Sequence, residues 1–151
     1  KTTLEKSDFI LCTGLFDNHY NDLNYYKELL KNFTSKRLVC TNPDLIVHRG
    51  NEKEYCAGSI ARIFEQAGGK VTYFGKPYKE IYEMCFALNE KVLAIGDNLR
   101  TDIQGANNLK IDSIFITNGV HRDEFTSDNE LKNLLEKYKV NANYFQKSLT
   151  W

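Results

Sequence analysis

Two aspartates follow an apolar segment in the part of the sequence best suited to chemistry. Asp97 comes directly after residues 92–96 (VLAIG), and Asp102 follows five residues later, at the predicted start of a helix. Ligands of open α/β sheets bind beyond the carboxyl ends of strands, and Mg²⁺ takes one or two carboxylates together with waters and phosphate oxygens. The pair is therefore a candidate Mg²⁺ site. The alternative is that Asp97 starts a turn and Asp102 caps the next helix.

A lysine stands 21 residues before Asp97, just after another predicted strand at 71–74. The stretch between them has the length of one helix and one strand, which predicts a βαβ crossover that returns to the same sheet edge. Lys76 and Asp97 would then both lie at carboxyl ends of strands and face one phosphate. A single loop lysine is usually a solvated surface charge, but its pairing with Asp97 at this spacing favours phosphate chemistry.

Composition excludes several classes of partner. Twenty basic and twenty acidic residues give a formal net charge of zero, so nothing in the charge favours nucleic acid or an anionic membrane surface. No apolar run approaches the length of a membrane span. The four cysteines and three histidines lack the spacing of zinc ligands. We therefore predict a cytoplasmic protein with reduced thiols and neither a nucleic-acid nor a membrane partner.

Strand and helix patterns alternate along the whole chain, which predicts an α/β fold with largely parallel sheets. A capping box is predicted at 127–130. The predicted strands cover residues 9–12, 37–41, 71–74, 92–95 and 111–117. A short helix is predicted at 102–109. Four further helices are predicted from apolar residues at helical spacing: Leu23, Tyr26, Leu30 and Phe33; Ile60, Ile63, Phe64 and Ala67; Ile81, Met84, Cys85 and Leu88; and Leu131, Leu134, Leu135 and Tyr138.

The run Gly75-Lys76-Pro77, a helix, and then hhhhGDNLRTDI-x-GA resembles the haloacid dehalogenase (HAD) superfamily. More narrowly it is similar to the type IIA group, which includes sugar-phosphate, 4-nitrophenylphosphate and pyridoxal-phosphate phosphatases. The upstream segments at 40–45 (CTNPDL) and 55–58 (YCAG) resemble the inserted α/β cap of that group. The resemblance runs from about Asp8 onward. It implies a cap over residues 8–74 and the C-terminal half of a Rossmann-like HAD core over residues 75–151.

The resemblance also implies roles for individual residues. Lys76 matches the lysine that faces the phosphate, Asp97 the acidic metal ligand, and Asp102 the second acid that supports it. The resemblance implies that Asn98 lies behind these groups and supports them. Asn42 and Asp44 match a cap segment that faces the substrate, although the same residues are typical of an Asn-Pro-Asp turn that caps the next element.

The family's nucleophile is absent from this sequence. HAD phosphatases attack phosphorus with the first aspartate of an Asp-x-Asp motif that follows an apolar strand, forming a phosphoaspartate that water hydrolyses. The apolar strand at 9–12 is followed by Thr13 and Gly14, and no such motif follows any strand. The Ser/Thr phosphate-binding motif is absent as well. The resemblance implies that both belong to an N-terminal half of the core, and that this chain alone is inactive.

The sequence thus predicts a Mg²⁺-dependent HAD-type hydrolase of a small phosphorylated metabolite, represented by its cap and half of its core. The alternative is a non-catalytic, regulatory module that binds phosphate or metal. The expected partners are the metabolite and the missing N-terminal half. Type IIA relatives often form dimers through the cap, and the oligomeric state stays open. The particular substrate does not follow from the motifs.

Overall fold

The computed structural model describes residues 2–87 and 89–150. The chain divides between Gly75 and Lys76 into two compact units. Each unit contains its own parallel sheet of three strands, and no strand is shared between these sheets. The predicted α/β class with parallel sheets is confirmed.

The first unit is a parallel sheet with two helices and a hairpin. The sheet has the order β1-β2-β5, and the antiparallel hairpin β3–β4 follows the second of these strands. In chain order the elements are β1 (Phe9–Cys12), α1 (Leu23–Leu30), β2 (Arg37–Cys40), β3 (Ile46–Arg49), β4 (Glu52–Tyr55), α2 (Ala57–Gln66) and β5 (Lys70–Tyr73).

Apolar residues on α1 and α2 form the core of this unit with the middle of the sheet. Tyr26 and Leu30 project from α1, Ile60 and Phe64 from α2, and Leu38 from the central strand. These residues repeat at the helical spacing that the sequence predicted, because each helix must bury one apolar stripe. The hairpin was not predicted. Its turn, Gly50-Asn51 with a positive φ at Gly50, is a pairing typical of two-residue hairpins.

Two thiols lie side by side inside this sheet. Cys12 and Cys40 are opposite each other in the parallel register, and both are buried. Burial, together with the neighbouring Cys40, raises the pKa of Cys12 to about 12. Burial also raises the pKa of Cys40. Both side chains therefore stay protonated near neutral pH, and all four cysteines are free thiols.

The second unit is a three-stranded parallel sheet in the order β6-β7-β8. The predicted strands match the observed ones to within about a residue, but β8 was not predicted. In chain order the elements are α3 (Lys79–Glu83), β6 (Leu93–Gly96), a π-helical turn (Leu99–Ile103), α4 (Gln104–Leu109), β7 (Asp112–Ile116), α5 (Asp128–Tyr138) and β8 (Tyr144–Gln146). As expected, Ser127 caps α5, accepting a hydrogen bond from the Glu130 amide.

Two features of the second unit differ from the prediction. The helix expected to carry Ile81, Met84 and Cys85 on one face ends at Glu83, and the predicted Leu88 lies outside the described residues. Met84 is 83% exposed. Apolar residues at helical spacing stabilise a helix mainly when they are packed against other elements, so this spacing alone does not extend the helix. The predicted βαβ crossover is also wrong, because β5 pairs with β2 in the first unit and β6 belongs to the second sheet.

In the part of the chain that the structure describes, no helix combines the length and apolar composition required to cross a membrane.

Candidate active site

The loop after β6 carries the candidate metal ligand. Asp97 follows Gly96 at the carboxyl end of the strand, and the π-helical turn begins two residues later. A Cβ atom on Gly96 would lie 2.3 Å from Cβ of Asp102. Because Gly96 has no side chain, the start of the helical segment can pack directly against the end of the strand. This close approach brings Asp102 to the loop that holds Asp97.

The Asp102 carboxylate is fully engaged. Its Oδ2 accepts hydrogen bonds from the backbone amides of Asp97 at 3.1 Å and Asn98 at 3.0 Å. Its Oδ1 accepts from Nζ of Lys76 at 2.5 Å. Asp102 is nearly buried, whereas the Lys76 side chain is about half exposed. Asp102 thus orients both the lysine and the loop, and its support of a metal ligand stays a prediction.

Asp97 has one engaged and one available carboxylate oxygen. Oδ2 accepts a hydrogen bond from the Val120 amide at 2.9 Å, and the side chain is half-buried. Oδ1 accepts no hydrogen bond from any residue that the structure describes. An anionic oxygen at a strand's carboxyl end suits a hard cation such as Mg²⁺. This chain would hold such an ion through Asp97 Oδ1.

The described residues contain no group of three or more His, Cys, Asp or Glu side chains placed to hold a metal. The donor set therefore fits Mg²⁺ only as one carboxylate of a larger set, completed by waters, substrate oxygens or ligands from outside this sequence.

Asn98 directly follows Asp97 and does not face solvent. It is buried, and its Oδ1 accepts a hydrogen bond from the Arg100 amide at 3.0 Å, so it caps the π-helical turn. Tyr82 lies on the other side of this turn, where its hydroxyl occupies the space that a Cβ on Gly105 would need. Burial, with further contributions from Asp102 and Cys85, raises the pKa of Tyr82 to about 12. Its neutral hydroxyl donates to the Thr101 carbonyl at 3.5 Å.

Asn42 and Asp44 lie in the first unit and form the turn that the sequence offered as their alternative role. The Asp44 amide donates to Oδ1 of Asn42 at 3.2 Å, and the Asp44 carbonyl accepts from the Gly58 amide at 3.1 Å. A Cβ on Gly58 would lie 2.3 Å from the Pro43 carbonyl oxygen. The segments 40–45 and 55–58 therefore meet because a glycine at the start of α2 admits the turn. Substrate contact by Asn42 and Asp44 stays a prediction.

Sequence reasoning missed a histidine that contacts this loop. His121 is 3% exposed, and its Nε2 accepts a hydrogen bond from the Leu99 amide at 3.1 Å. Its Nδ1 lies 2.6 Å from Oε1 of Glu124. His121 and the two residues before it, Gly119 and Val120, lie in the loop that follows strand β7. Their place after a strand end is the signal that could have indicated them.

Fold and site together define an α/β protein with a lysine–aspartate cluster beyond the carboxyl end of a parallel strand. The profile of the family described as HAD-hydrolase-like matches residues 73–149, just over half of the chain. The chain belongs to this family of HAD-type hydrolases.

Named relatives agree with this assignment. Ribonucleotide monophosphatase NagD of Escherichia coli K12 is 33% identical over 88 residues, which cover 56% of this chain and 34% of that protein. A haloacid dehalogenase-like hydrolase from Brucella suis 1330 superposes with a TM-score of 0.80 and 28% identity, over 99% of this chain and 58% of its own. A p-nitrophenyl phosphatase from Archaeoglobus fulgidus shares the fold, with a TM-score of 0.64 and 16% identity, over 97% of this chain and 56% of its own. The chain thus spans about a third of the curated relative and under two thirds of these structures.

Proposed function

We propose that this chain is part of a Mg²⁺-dependent hydrolase of phosphate monoesters that acts on a small phosphorylated metabolite. The observation that carries the proposal is the cluster in which Asp102 holds Lys76 while Asp97 keeps one free oxygen. The phosphatase names of the relatives support the substrate class. Phosphoryl transfer depends chiefly on positioning and charge neutralisation, which a lysine and a carboxylate-held cation provide.

Each group in the cluster has a distinct proposed role. The Lys76 ammonium stabilises negative charge on the transferring phosphoryl oxygens and on a carboxylate nucleophile. Its contact with Asp102 removes much of its side-chain freedom, so little ordering is required when a phosphate arrives. Mg²⁺, when bound, neutralises charge on the phosphoryl oxygens. Asp97 contributes one ligand to that ion, and Asn98 and Asp102 fix the backbone that carries Asp97.

We further propose that the nucleophile comes from an N-terminal half of the core that is not part of this sequence. The support is the sheet of the second unit, in which β6 is an edge strand and pairs only with β7 among the described residues. An apolar edge of this kind is normally covered or paired. A further parallel strand beside β6 would end next to the loop that carries Asp97, because the carboxyl ends of parallel strands meet at one edge.

Within residues 2–87 and 89–150, one face of the same sheet carries apolar side chains that stay partly exposed. By register, Ile95, Ile114 and Tyr144 stand side by side, with Leu93 and Ile116 on the same face. Leu93, Ile95 and Tyr144 are 46%, 40% and 56% exposed, and none of these five residues belongs to the core of the unit. Parallel sheets are usually covered on both faces. We call these five residues the open face, and propose that the N-terminal half covers it.

The unit that ends at Gly75 is proposed to be the cap that selects the substrate. Asn42 and Asp44 lie in a rigid turn after the central strand, where polar groups are held in fixed positions. Dimerisation through this unit is a further proposal drawn from the resemblance to type IIA phosphatases. The location proposed for the whole protein is the cytoplasm.

The proposal is tested by comparing this chain with a longer protein that includes the proposed N-terminal half. Hydrolysis of 4-nitrophenyl phosphate is measured for both at equal concentration, with and without Mg²⁺. The longer protein should turn over, and Asp97→Asn or Lys76→Ala should lower its kcat/KM by at least about a hundredfold, since charge-stabilising groups of this kind contribute about 10²–10³. The exposed Asp123→Asn and Lys132→Ala serve as charge-matched controls.

The chain of residues 1–151 should show no turnover, because nothing in it occupies the nucleophile position. Mg²⁺-dependent turnover by this chain that Asp97→Asn abolishes would place the nucleophile within it, and Asp17 would be the first residue to test. A longer protein that binds phosphate or Mg²⁺ without hydrolysing any monoester would favour the alternative, a regulatory binding module.

A further inference from the structure

Four consecutive backbone amides in the Asp97 loop are held by side chains. The amides of Asp97 and Asn98 donate to Asp102, and the amide of Arg100 donates to Asn98. The amide between them, at Leu99, donates to Nε2 of His121. The first amides of a helical segment have no partner within it, so each needs an acceptor from elsewhere. His121 is the only one of these acceptors that comes from a different strand–loop segment.

The hydrogen bonds of His121 determine which of its nitrogens carries the proton. A backbone amide can only donate, so Nε2 must present a lone pair to Leu99 and cannot be protonated. The proton of the neutral ring is then on Nδ1, which donates to Oε1 of Glu124. The ring packs edge-on against Tyr138, with centroids 5.0 Å apart, and beside Phe115. Its orientation is therefore fixed by packing as well as by its partners.

The residues just before His121 hold the Asp97 side chain directly. The Val120 amide donates to Asp97 Oδ2. A Cβ on Gly119 would lie 2.1 Å from that same oxygen and 2.2 Å from Cβ of Asp97. Residues 119–121 therefore contact the Asp97 loop twice: Gly119 and Val120 fix the carboxylate, and His121 fixes the backbone two residues further on.

We propose that His121 is a positioning residue for the metal-binding carboxylate. In one tautomer, its Nε2 accepts a hydrogen bond from the Leu99 amide and so fixes the position of residues 119–121 relative to the loop 97–99. This position in turn determines the direction in which Oδ1 of Asp97 points. This inference rests on the proposed function, in which Asp97 binds the cation. It adds a residue from outside the lysine–aspartate cluster. The expected signature is a specific requirement for a hydrogen-bond acceptor at the Nε2 position, beyond the space that the ring fills.

The test uses the 151-residue chain labelled with ¹⁵N and three variants. His121→Gln keeps an acceptor oxygen near the position of Nε2, whereas His121→Leu fills much of the space with no acceptor. His48→Leu is the control, because the ring nitrogens of His48 are buried without a hydrogen-bond partner among the described residues. Ring ¹⁵N shifts report the tautomer, and hydrogen exchange reports the amides of Leu99 and Val120.

The wild-type ring should show a protonated Nδ1 and a bare Nε2. Exchange of the Leu99 and Val120 amides should be at least about tenfold faster in His121→Leu, since a lost hydrogen bond of ordinary strength corresponds to about that factor. His121→Gln should restore both amides to within a few fold, and His48→Leu should leave them unchanged.

Two results would overturn the inference. One is a ring protonated at Nε2 in the wild-type chain, which requires no variant to fold. The other is exchange at Leu99 and Val120 that is equally affected by Gln and Leu, as expected if His121 only fills space. The proposed function fails by a different result, namely unchanged phosphatase activity in Asp97→Asn of the longer protein, which leaves the tautomer and exchange results standing.

Discussion

At the scale of single residues, the candidate site depends on glycines as much as on charged groups. Because Gly96 has no side chain, Asp102 can pack against the end of β6. In the same way, the missing side chain of Gly119 lets Asp97 pack against the loop after β7. Neither needs a positive φ, so both are required for space rather than for backbone conformation. The two carboxylates reach their positions because the backbone at these glycines lies in direct contact with the Asp97 and Asp102 side chains.

Gly119→Ala should displace the Asp97 carboxylate from the Val120 amide. The added methyl group overlaps Cβ of Asp97, which cannot swing away as a chain end can, so the backbone must shift. We expect kcat/KM of the longer protein to fall about a hundredfold, as for an ångström-scale misplacement. The free energy of unfolding should fall by about 1–3 kcal/mol, as for other overpacked positions. Assays with 4-nitrophenyl phosphate and urea unfolding measure the two effects.

Gly14→Ala is the matched control, since a Cβ there meets nothing within 4 Å. Equal loss of activity in the two variants would show that the close approach of Gly119 to Asp97 does not matter.

At the scale of elements, the two faces of the second sheet differ sharply. One face packs Phe115 against Leu99, Ile103 and Leu134 from the π-helical turn and α5. The opposite face is the open face, whose apolar side chains lie outside that core and, at Leu93, Ile95 and Tyr144, are exposed among the described residues. Parallel sheets are usually covered on both faces, so the two faces of this sheet should respond differently to a charged substitution.

Ile95→Lys should therefore have different effects in the 151-residue chain and in the longer protein. We expect the open face to make the 151-residue chain self-associate, and Ile95→Lys should weaken that association in sedimentation experiments. Stability should change little, because the side chain is already 40% exposed. In the longer protein it should lower the free energy of unfolding by several kcal/mol, because a lysine would then be buried without a partner. Met84→Lys, at a position that is 83% exposed, is the control and should have neither effect. A harmless Ile95→Lys in the longer protein would show that this face stays uncovered.

At the scale of the whole molecule, the chain has two cores that share no residue. One core belongs to the unit ending at Gly75, and the other to the unit beginning at Lys76. The lysine–aspartate cluster lies entirely in the second unit, whereas Asn42 and Asp44 lie in the first. The proposed metal site therefore depends on the second unit and on the proposed N-terminal half.

Mg²⁺ should bind this chain weakly or not at all, and bind the longer protein more tightly. Asp97 supplies one free oxygen, both oxygens of Asp102 are engaged, and Mg²⁺ gives up its waters reluctantly. Titration calorimetry on both proteins measures the difference, with Asp97→Asn expected to abolish the tighter binding and Asp123→Asn to preserve it. Tight binding by residues 1–151 alone would show that this chain supplies more ligands than Asp97 Oδ1.

The amino-acid sequence by itself determined the alternation of strands and helices, the parallel sheets and the placement of Asp97 at a strand end. These features follow from local periodicity and from turn residues next to each strand, which act over a few neighbouring positions. The same local signals failed at the helix that begins at Lys79, where apolar residues recur at helical spacing but Ile81 and Met84 are exposed.

Only the tertiary structure decided which groups meet around the loop. Lys76 contacts Asp102 across 26 positions, although β5 and β6 lie in different sheets, and His121 contacts Leu99 across 22. Neither contact follows from periodicity, because each depends on how two distant segments pass one another in space. The uncovered face of the sheet is likewise invisible in the sequence, where Leu93 and Ile95 look like any buried strand. Whether an apolar side chain is covered is a property of the packed layers.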